Sequence, residues 1–252
     1  MSKVGAIYYS DFHVEPKIQD ICVRNLKDVF HGNIVSVTLN KPIDLGTNIV
    51  LKGERSNTMM VRQILTALEN STKEYVYFVE HDLLYDPSHF SFLPPKDDVF
   101  YYNTNLWRWD YPNDRIVTYD NLTSLSQMCC NRVWALEHYK KRYNRIMETG
   151  WYKEDGIGKM QPNWVRALGY EPGTKRRRIG GFSDDVSERW RSAMPNVDIR
   201  HSGTLSNPKT KLSQFTHLPQ NFTEKPLSVI TNFDLYKLFD VQPTSAHSGD
   251  NL

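Results

Sequence analysis

The sequence offers little that would place the chain outside a cell or inside a membrane. Its 3 cysteines, Cys22, Cys129 and Cys130, form neither a CxxC pair nor an even set. That argues against a disulfide framework and leads us to expect a reduced, cytoplasmic protein. No stretch approaches the roughly 18 apolar residues of a membrane span. The first apolar run, residues 4–9, is strand-length and has no small-residue cleavage site after it, so no signal peptide is expected. The sequons at Asn70, Asn121 and Asn221 are accordingly expected to stay unmodified. An excess of one charge is also missing. With 31 Lys and Arg against 29 Asp and Glu, the formal net charge is +2, which excludes a histone-like basic protein and an acidic disordered chain. No internal repeat is visible.

What is present suits an enzyme-sized domain. The chain has 252 residues, 39% of them hydrophobic, enough to bury a core. Aromatics make up 12%, which fits either a dense core or a site that stacks sugars or bases.

The first hundred residues alternate strand and helix signals. Residues 4–9 read as a buried strand with a polar exit at Ser10-Asp11. Ile18, Ile21, Cys22, Leu26 and Phe30 fall near helical spacing, and residues 33–39 form a β-branched strand. Met60, Ile64, Ala67 and Leu68 share a helical stripe, with Ser56 or Asn57 as its cap. Residues 75–79, Tyr-Val-Tyr-Phe-Val, read as a strand covered on both faces. This order predicts an α/β fold with βαβ units and a mixed, mostly parallel central sheet flanked by helices in one domain, residues 1–242. The small, polar residues 243–252 are expected to form a disordered tail.

Ligands of such sheets sit at the carboxyl ends of the strands. Two polar clusters fall there, Ser10-Asp11 and Glu80-His81-Asp82. In extended chain Glu80 and Asp82 point the same way, and two adjacent carboxylates repel unless a cation lies between them. Hard divalent cations, Mn²⁺ or Mg²⁺, take such ligands and also bind phosphate oxygens. The plainer reading is a strand exit with a capping Asp and a surface Glu.

Residues 60–85, a helix, a short turn and an apolar strand running into Glu80-His81-Asp82, resemble the core of GT-A-fold (Rossmann-like) glycosyltransferases. Glu80-His81-Asp82 is similar to their DxD-type motif, with Glu in place of the first Asp. The resemblance implies that Asp82 ligates a metal and that Glu80 contacts the ribose or the metal. It also implies a late ligand, for which His201, after the short strand in 195–200, is the candidate. It covers roughly residues 4–205. It further implies a nucleotide-sugar donor, a UDP-sugar first; the distribution of charge and aromatics points to donor binding by about residues 1–105 and acceptor binding by about residues 106–242. Tyr8, Tyr9, Ser10, Asp11, Asn40 and Arg55 are the remaining donor-side candidates.

An inverting transfer also needs a carboxylate base. Glu171, in the turn-rich Gly169-Tyr-Glu-Pro-Gly, fits the family's order of base and then ligand. Asp155, in Gly150-Trp-Tyr-Lys-Glu-Asp-Gly, resembles the family's acceptor loop and ranks second. Asp184-Asp185, after Gly180-Gly181, is the third acidic position.

All 6 Trp lie between positions 107 and 190. Trp107 and Trp109 flank Arg108 in a compact aromatic-basic segment, and Lys175-Arg176-Arg177-Arg178 is a run of four cations. Residues 132–178 carry 12 Lys or Arg against 5 Asp or Glu. Such a patch attracts polyanions, and aromatic rings stack on sugars and unpaired bases. Some phage enzymes of this general kind glycosylate hydroxymethylated pyrimidines in DNA, so a DNA acceptor is an expectation carried by the patch. Two competing readings remain: a metal-dependent nuclease or nucleotidyltransferase, and a non-catalytic nucleic-acid-binding protein.

Overall fold

The computed structural model describes residues 3–155, 163–174, 182, 186–204 and 209–243. The chain opens with β1 (Val4–Ser10), α1 (Pro16–Val29), β2 (Asn33–Leu39), β3 (Thr47–Leu51), α2 (Asn57–Asn70) and β4 (Tyr75–Val79). Then come β5 (Leu83–Leu84), β6 (Phe100–Asn103), β7 (Leu106–Trp109), β8 (Ile116–Thr118), β9 (Met128–Asn131) and α3 (Arg132–Glu148). The remainder holds α4 (Asn163–Leu168), β10 (Ser187–Trp190), β11 (Asn196–Ile199), β12 (Thr223–Lys225) and α5 (Leu235–Phe239). No helix among the described residues is long and apolar enough to cross a membrane. The tail expected at 243–252 falls, apart from Pro243, outside the described residues.

The main sheet has 7 strands in the order β10-β6-β9-β4-β1-β2-β3. Only β9 runs against its neighbours, so the α/β fold with a mixed, mostly parallel sheet is observed. Its inner strands β1, β2, β4, β6 and β9 are buried on both faces, as apolar runs in a parallel sheet require. Ile7, Tyr9, Val76 and Phe78 pack under α2 and α3, while Ala6, Tyr8, Tyr77 and Val79 face α1. Pro16 starts α1, and the Ser56 hydroxyl caps α2 by accepting from the Met59 N–H at 3.0 Å.

β3 went unforeseen because residues 40–46 alone join it to its parallel neighbour β2, whereas such a connection ordinarily contains a helix. Gly46 (φ +58°) makes the short path possible, since a Cβ there would lie 2.2 Å from the Ile34 carbonyl oxygen.

A second sheet of 5 strands, β12-β8-β7-β11-β5, packs across α1. Ile18 and Cys22 of α1 meet Leu84, Trp109, Val197 and Ile199 there. β5 comes from the early chain and β9 and β10 from the late chain, so the expected donor-side and acceptor-side halves interleave in both sheets.

Candidate active site

The chain runs from β1 outward to β2 and β3, then returns to β4 on the other side of β1. The order therefore reverses between β1 and β4, and a crevice opens outside the carboxyl ends of strands at such a point. Here a cleft with about 910 Å³ of free space, its open mouth included, is lined by Ser10 and Asp11 at the exit of β1 and by Glu80, His81 and Asp82 just after β4. Residues 81–82 form a turn rather than continuing the strand, so the extended-chain geometry expected for Glu80 and Asp82 is replaced by a bend into β5.

That bend recruits His201. β5 pairs antiparallel with β11, with Leu83 opposite Asp198. One step further, the Ile199 N–H donates to the Asp82 carbonyl at 2.9 Å. The chain leaving β11 then sets His201 Nε2 3.5 Å from Asp82 Oδ2. His81, Asp82 and His201 bring ligand-capable atoms within 4.8 Å of one another.

These residues fit a divalent cation. Asp82 Oδ1 is buried with no hydrogen-bond partner and His201 Nε2 faces the other oxygen, Asp82 Oδ2, an arrangement with room for an ion or a water at Oδ1. Two imidazoles and one carboxylate suit Mn²⁺, Fe²⁺ or Zn²⁺ better than Mg²⁺. His201 Nδ1 accepts from the Gly203 N–H at 3.1 Å. Ligation through Nε2 puts the ring proton on Nδ1, so it requires the Gly203 N–H to turn away.

Burial alone would raise the Asp82 carboxyl, but His81, His201 and Arg200 together hold it below the ordinary carboxylate range. Glu80 goes the other way: burial, then the Asp82 charge, pushes it up to about 8. It accepts a hydrogen bond from the Tyr9 hydroxyl. Two arginines also line the cleft, Arg108 from β7 and Arg200 after β11. β7 and β11 run parallel with Arg108 beside Asp198, and Asp198 holds Arg108 Nε at 3.2 Å and Arg200 Nη1 at 3.4 Å.

Of the residues expected from the sequence, Tyr9, Ser10, Asp11, Arg55, Glu80, Asp82 and Glu171 line the cleft. Asp11 and Arg55 are bonded to each other, and Arg55 Nη2 also reaches the Gly203 carbonyl at 2.6 Å. The turn carrying Glu171 is held by Tyr170, whose hydroxyl donates to Asn57 Oδ1 at 2.7 Å, and by Tyr102, which donates to the Pro172 carbonyl at 2.7 Å.

Five expectations need correction. Tyr8 is fully buried beneath the sheet with Ala6, Leu26 and Tyr77, because alternation gives Tyr9 to the cleft side. Asn40 adopts φ +66° and pairs with Gly53 through its amide at 2.8 Å and its carbonyl at 3.2 Å, away from the cleft. Asp155 is used structurally: Oδ1 accepts from Asn57 N at 3.2 Å and Nδ2 at 3.0 Å, and Oδ2 from Thr58 N. Trp109 is fully buried against Phe239, with its Nε1–H donating to the Asn113 carbonyl at 2.7 Å. Trp107 packs half-buried on the same cluster. Lys175, Arg176, Arg177 and Arg178, and likewise Asp184-Asp185, lie outside the described residues.

Sequence reasoning missed His81 as a candidate ligand, although it stands inside the motif. It also missed Arg108 and Arg200. The signal for Arg108 was present: strand alternation puts Trp107 and Trp109 on one face and Arg108 on the other.

No protein-family model and no curated protein matches the chain. Among solved structures, it is similar to the apo form of the glycosyltransferase GlyE of Streptococcus pneumoniae TIGR4, at 8% identity and a TM-score of 0.37, over 58% of this chain and 39% of that one. It is also similar to the bifunctional IspDF of Campylobacter jejuni, at 11% identity and a TM-score of 0.35, over 56% and 44%. A third is a protein of Desulfovibrio desulfuricans G20 described as a nucleotide-diphospho-sugar transferase, at 9% identity and a TM-score of 0.30, over 53% and 65%. The chain thus spans between 39% and 65% of the length of these proteins. Likenesses this partial and this weak assign no activity.

Proposed function

We propose that the chain is a metal-dependent glycosyltransferase that moves a sugar from a nucleoside-diphosphate sugar to an acceptor hydroxyl. The observation that carries this reading is the buried, unpartnered Asp82 Oδ1 between two imidazoles, at the reversal point of the sheet. A cation held by His81, Asp82 and His201 would supply charge stabilisation to a diphosphate. Arg108 and Arg200 add cationic hydrogen-bond donors on the cleft wall, suited to phosphate oxygens. The sugar C1–oxygen bond breaks, its electron pair leaves on the diphosphate, and the acceptor oxygen forms the new bond. In an inverting reaction Glu171, which lines the same cleft, takes the acceptor proton. For the acceptor, the basic composition of residues 132–178 favours a polyanion, with a hydroxymethylated pyrimidine in DNA as the first candidate.

The test is a screen of nucleotide sugars against DNA and non-DNA acceptors with Mn²⁺, Fe²⁺, Zn²⁺ or Mg²⁺, read as mass gain on the acceptor. We expect a hexose or pentose increment, UDP-sugars giving the most. Asp82→Ala should lower turnover by about 100-fold or more. If no nucleotide sugar is consumed or shifts the melting temperature with any of these cations, the reading falls.

A further inference from the structure

Glu171 reaches the cleft from a turn that is gripped by its backbone. Among the described residues nothing donates to its carboxylate, while its carbonyl accepts from the Thr174 hydroxyl at 2.8 Å. The carboxylate therefore takes its direction from the chain around it. Tyr170 and Tyr102 hold that chain through Asn57 and the Pro172 carbonyl, and Ser187 Oγ donates to the Gly173 carbonyl at 3.2 Å. The remaining grip is a charged one. α4 closes at Gly169, whose φ of +74° is left-handed and whose N–H donates to the Val165 carbonyl at 2.9 Å. The Gly169 carbonyl accepts from Arg142 Nη1.

Arg142 stands on α3 and is 1% exposed. Its Nε donates to His138 Nε2 at 3.1 Å. Its guanidinium carbon lies 5.7 Å from the centre of the Tyr139 ring and 5.9 Å from that of Trp164. A nitrogen that accepts carries no proton, so every one of these partners is neutral. Nη2 has no partner, and among the described residues no carboxylate pairs with Arg142. A cation taken out of water with no anion opposite it is destabilising, and an apolar chain of similar length is often tolerated as well or better. Stability therefore does not account for an arginine here. What an apolar chain lacks is the planar fork that ties α3 to the backbone two residues before Glu171. Burial raises the Tyr139 phenol; Arg142 opposes that rise and Glu171 adds to it, so both charges act on one hydroxyl.

We propose that Arg142 is a positioning residue for Glu171: lodged against Tyr139 and Trp164, it fixes the Gly169 carbonyl and so directs the Glu171 carboxylate into the cleft. This rests on the reading of Glu171 as the base.

The test is a double-mutant cycle on the full chain, with Mn²⁺ and the nucleotide sugar and acceptor that react in the screen above. Arg142→Met should lower kcat by about tenfold or more and leave the donor KM within about threefold. In a Glu171→Gln background the same change should lower kcat by less than about threefold, because an absent carboxylate is not misplaced. The melting temperature of Arg142→Met should stay within about 4 °C or rise. Hydrogen exchange reads the geometry without substrate: the amides of Tyr170 and Glu171 should exchange at least about tenfold faster in Arg142→Met, with α2 unchanged. If that variant does not fold, Arg142→Lys, which offers one amine in place of the fork, replaces it in each measurement. Equal losses in both backgrounds, unchanged exchange, or a lower melting temperature with kcat kept overturn the role of Arg142 and leave Glu171 as the base. Full transfer by Glu171→Gln overturns the base reading and this inference with it, and absence of transfer from every nucleotide sugar overturns both.

Discussion

At the scale of single residues, the site depends on close approaches that only certain side chains permit. Gly203 is the sharpest case. A Cβ there would lie 2.1 Å from the His13 carbonyl oxygen and 3.0 Å from His201 Cε1. Its carbonyl also receives Arg55, and its N–H points at His201. Gly203→Ala must therefore move either the β1 exit loop or the His201 ring. We expect a destabilisation of about 1–3 kcal/mol, typical of overpacking, together with at least about tenfold weaker Mn²⁺ binding, since small displacements of a ligand or its support have effects of that size. Urea denaturation and Mn²⁺ titration followed by electron paramagnetic resonance check the two parts. Unchanged Mn²⁺ affinity would show that His201 is not held through Gly203. The glycine is legible in the sequence, but its crowding is not, because His13 and Gly203 meet only when the chain closes.

At the scale of elements, α2 decides the shape of the cleft, and its start is held from a distance. Ser56 supplies the local cap foreseen from the sequence, while Asp155 adds hydrogen bonds to Asn57 and Thr58 from far along the chain. A carboxylate there also answers the positive end of the helix dipole. The expectation that Asp155 acts as a base came from its neighbours in sequence. Asp155→Ala should lower stability by about 1 kcal/mol, seen as a lower urea midpoint, while turnover below the melting range stays within a few-fold of the unmodified chain. Lost turnover with unchanged stability would return Asp155 to the chemistry. The elements read correctly, β1, α1, β2, α2 and β4, have continuous apolar runs or helical stripes, and α2 has a local side-chain cap in Ser56. Those missed, such as β3 and β5, are short or joined without a helix, so periodicity has nothing to register.

At the scale of the whole molecule, a buried polar network joins the two sheets. His89 Nδ1 lies 3.0 Å from Asn103 Nδ2, at the end of β6, and 3.0 Å from Asn196 Nδ2, at the start of β11. Asn196 also donates to Gln127 at 2.7 Å, and Asn103 to Ser192 at 2.9 Å. Both contacts on Nδ1 come from amide donors, so His89 is neutral there. Burial pushes its pKa down from 6.5 to about 3. The unfolded chain therefore takes up the proton more readily between those two values, and folding stability falls as pH drops from 6.5 toward 3. This contribution is on the order of a few kcal/mol when complete. Asp11, Asp82 and Asp86, each held below the ordinary carboxylate range, add a further loss at lower pH. Glu80, raised from 4.5 to about 8, works in the opposite sense over that interval. Comparison with His89→Gln separates these effects. The variant is expected to be less stable at pH 7, and its urea midpoint should fall less steeply between pH 6.5 and 4. Parallel curves would remove His89 as the cause of acid sensitivity.

The sequence by itself determined the strand–helix alternation of the first eighty residues, the class of sheet, and the placement of Ser10-Asp11 and Glu80-His81-Asp82 at strand ends. Those are consequences of local periodicity and of carboxylates following an apolar run. Only the tertiary structure decided which of these groups meet. The antiparallel pairing of β5 with β11 sets His201 against Asp82. The parallel pairing of β7 with β11 sets Arg108 beside Asp198 and leaves Trp107 and Trp109 to the apolar cluster on the other face. Register between strands distant in sequence is fixed by packing of whole faces, and a one-residue slip would exchange the arginine for a tryptophan.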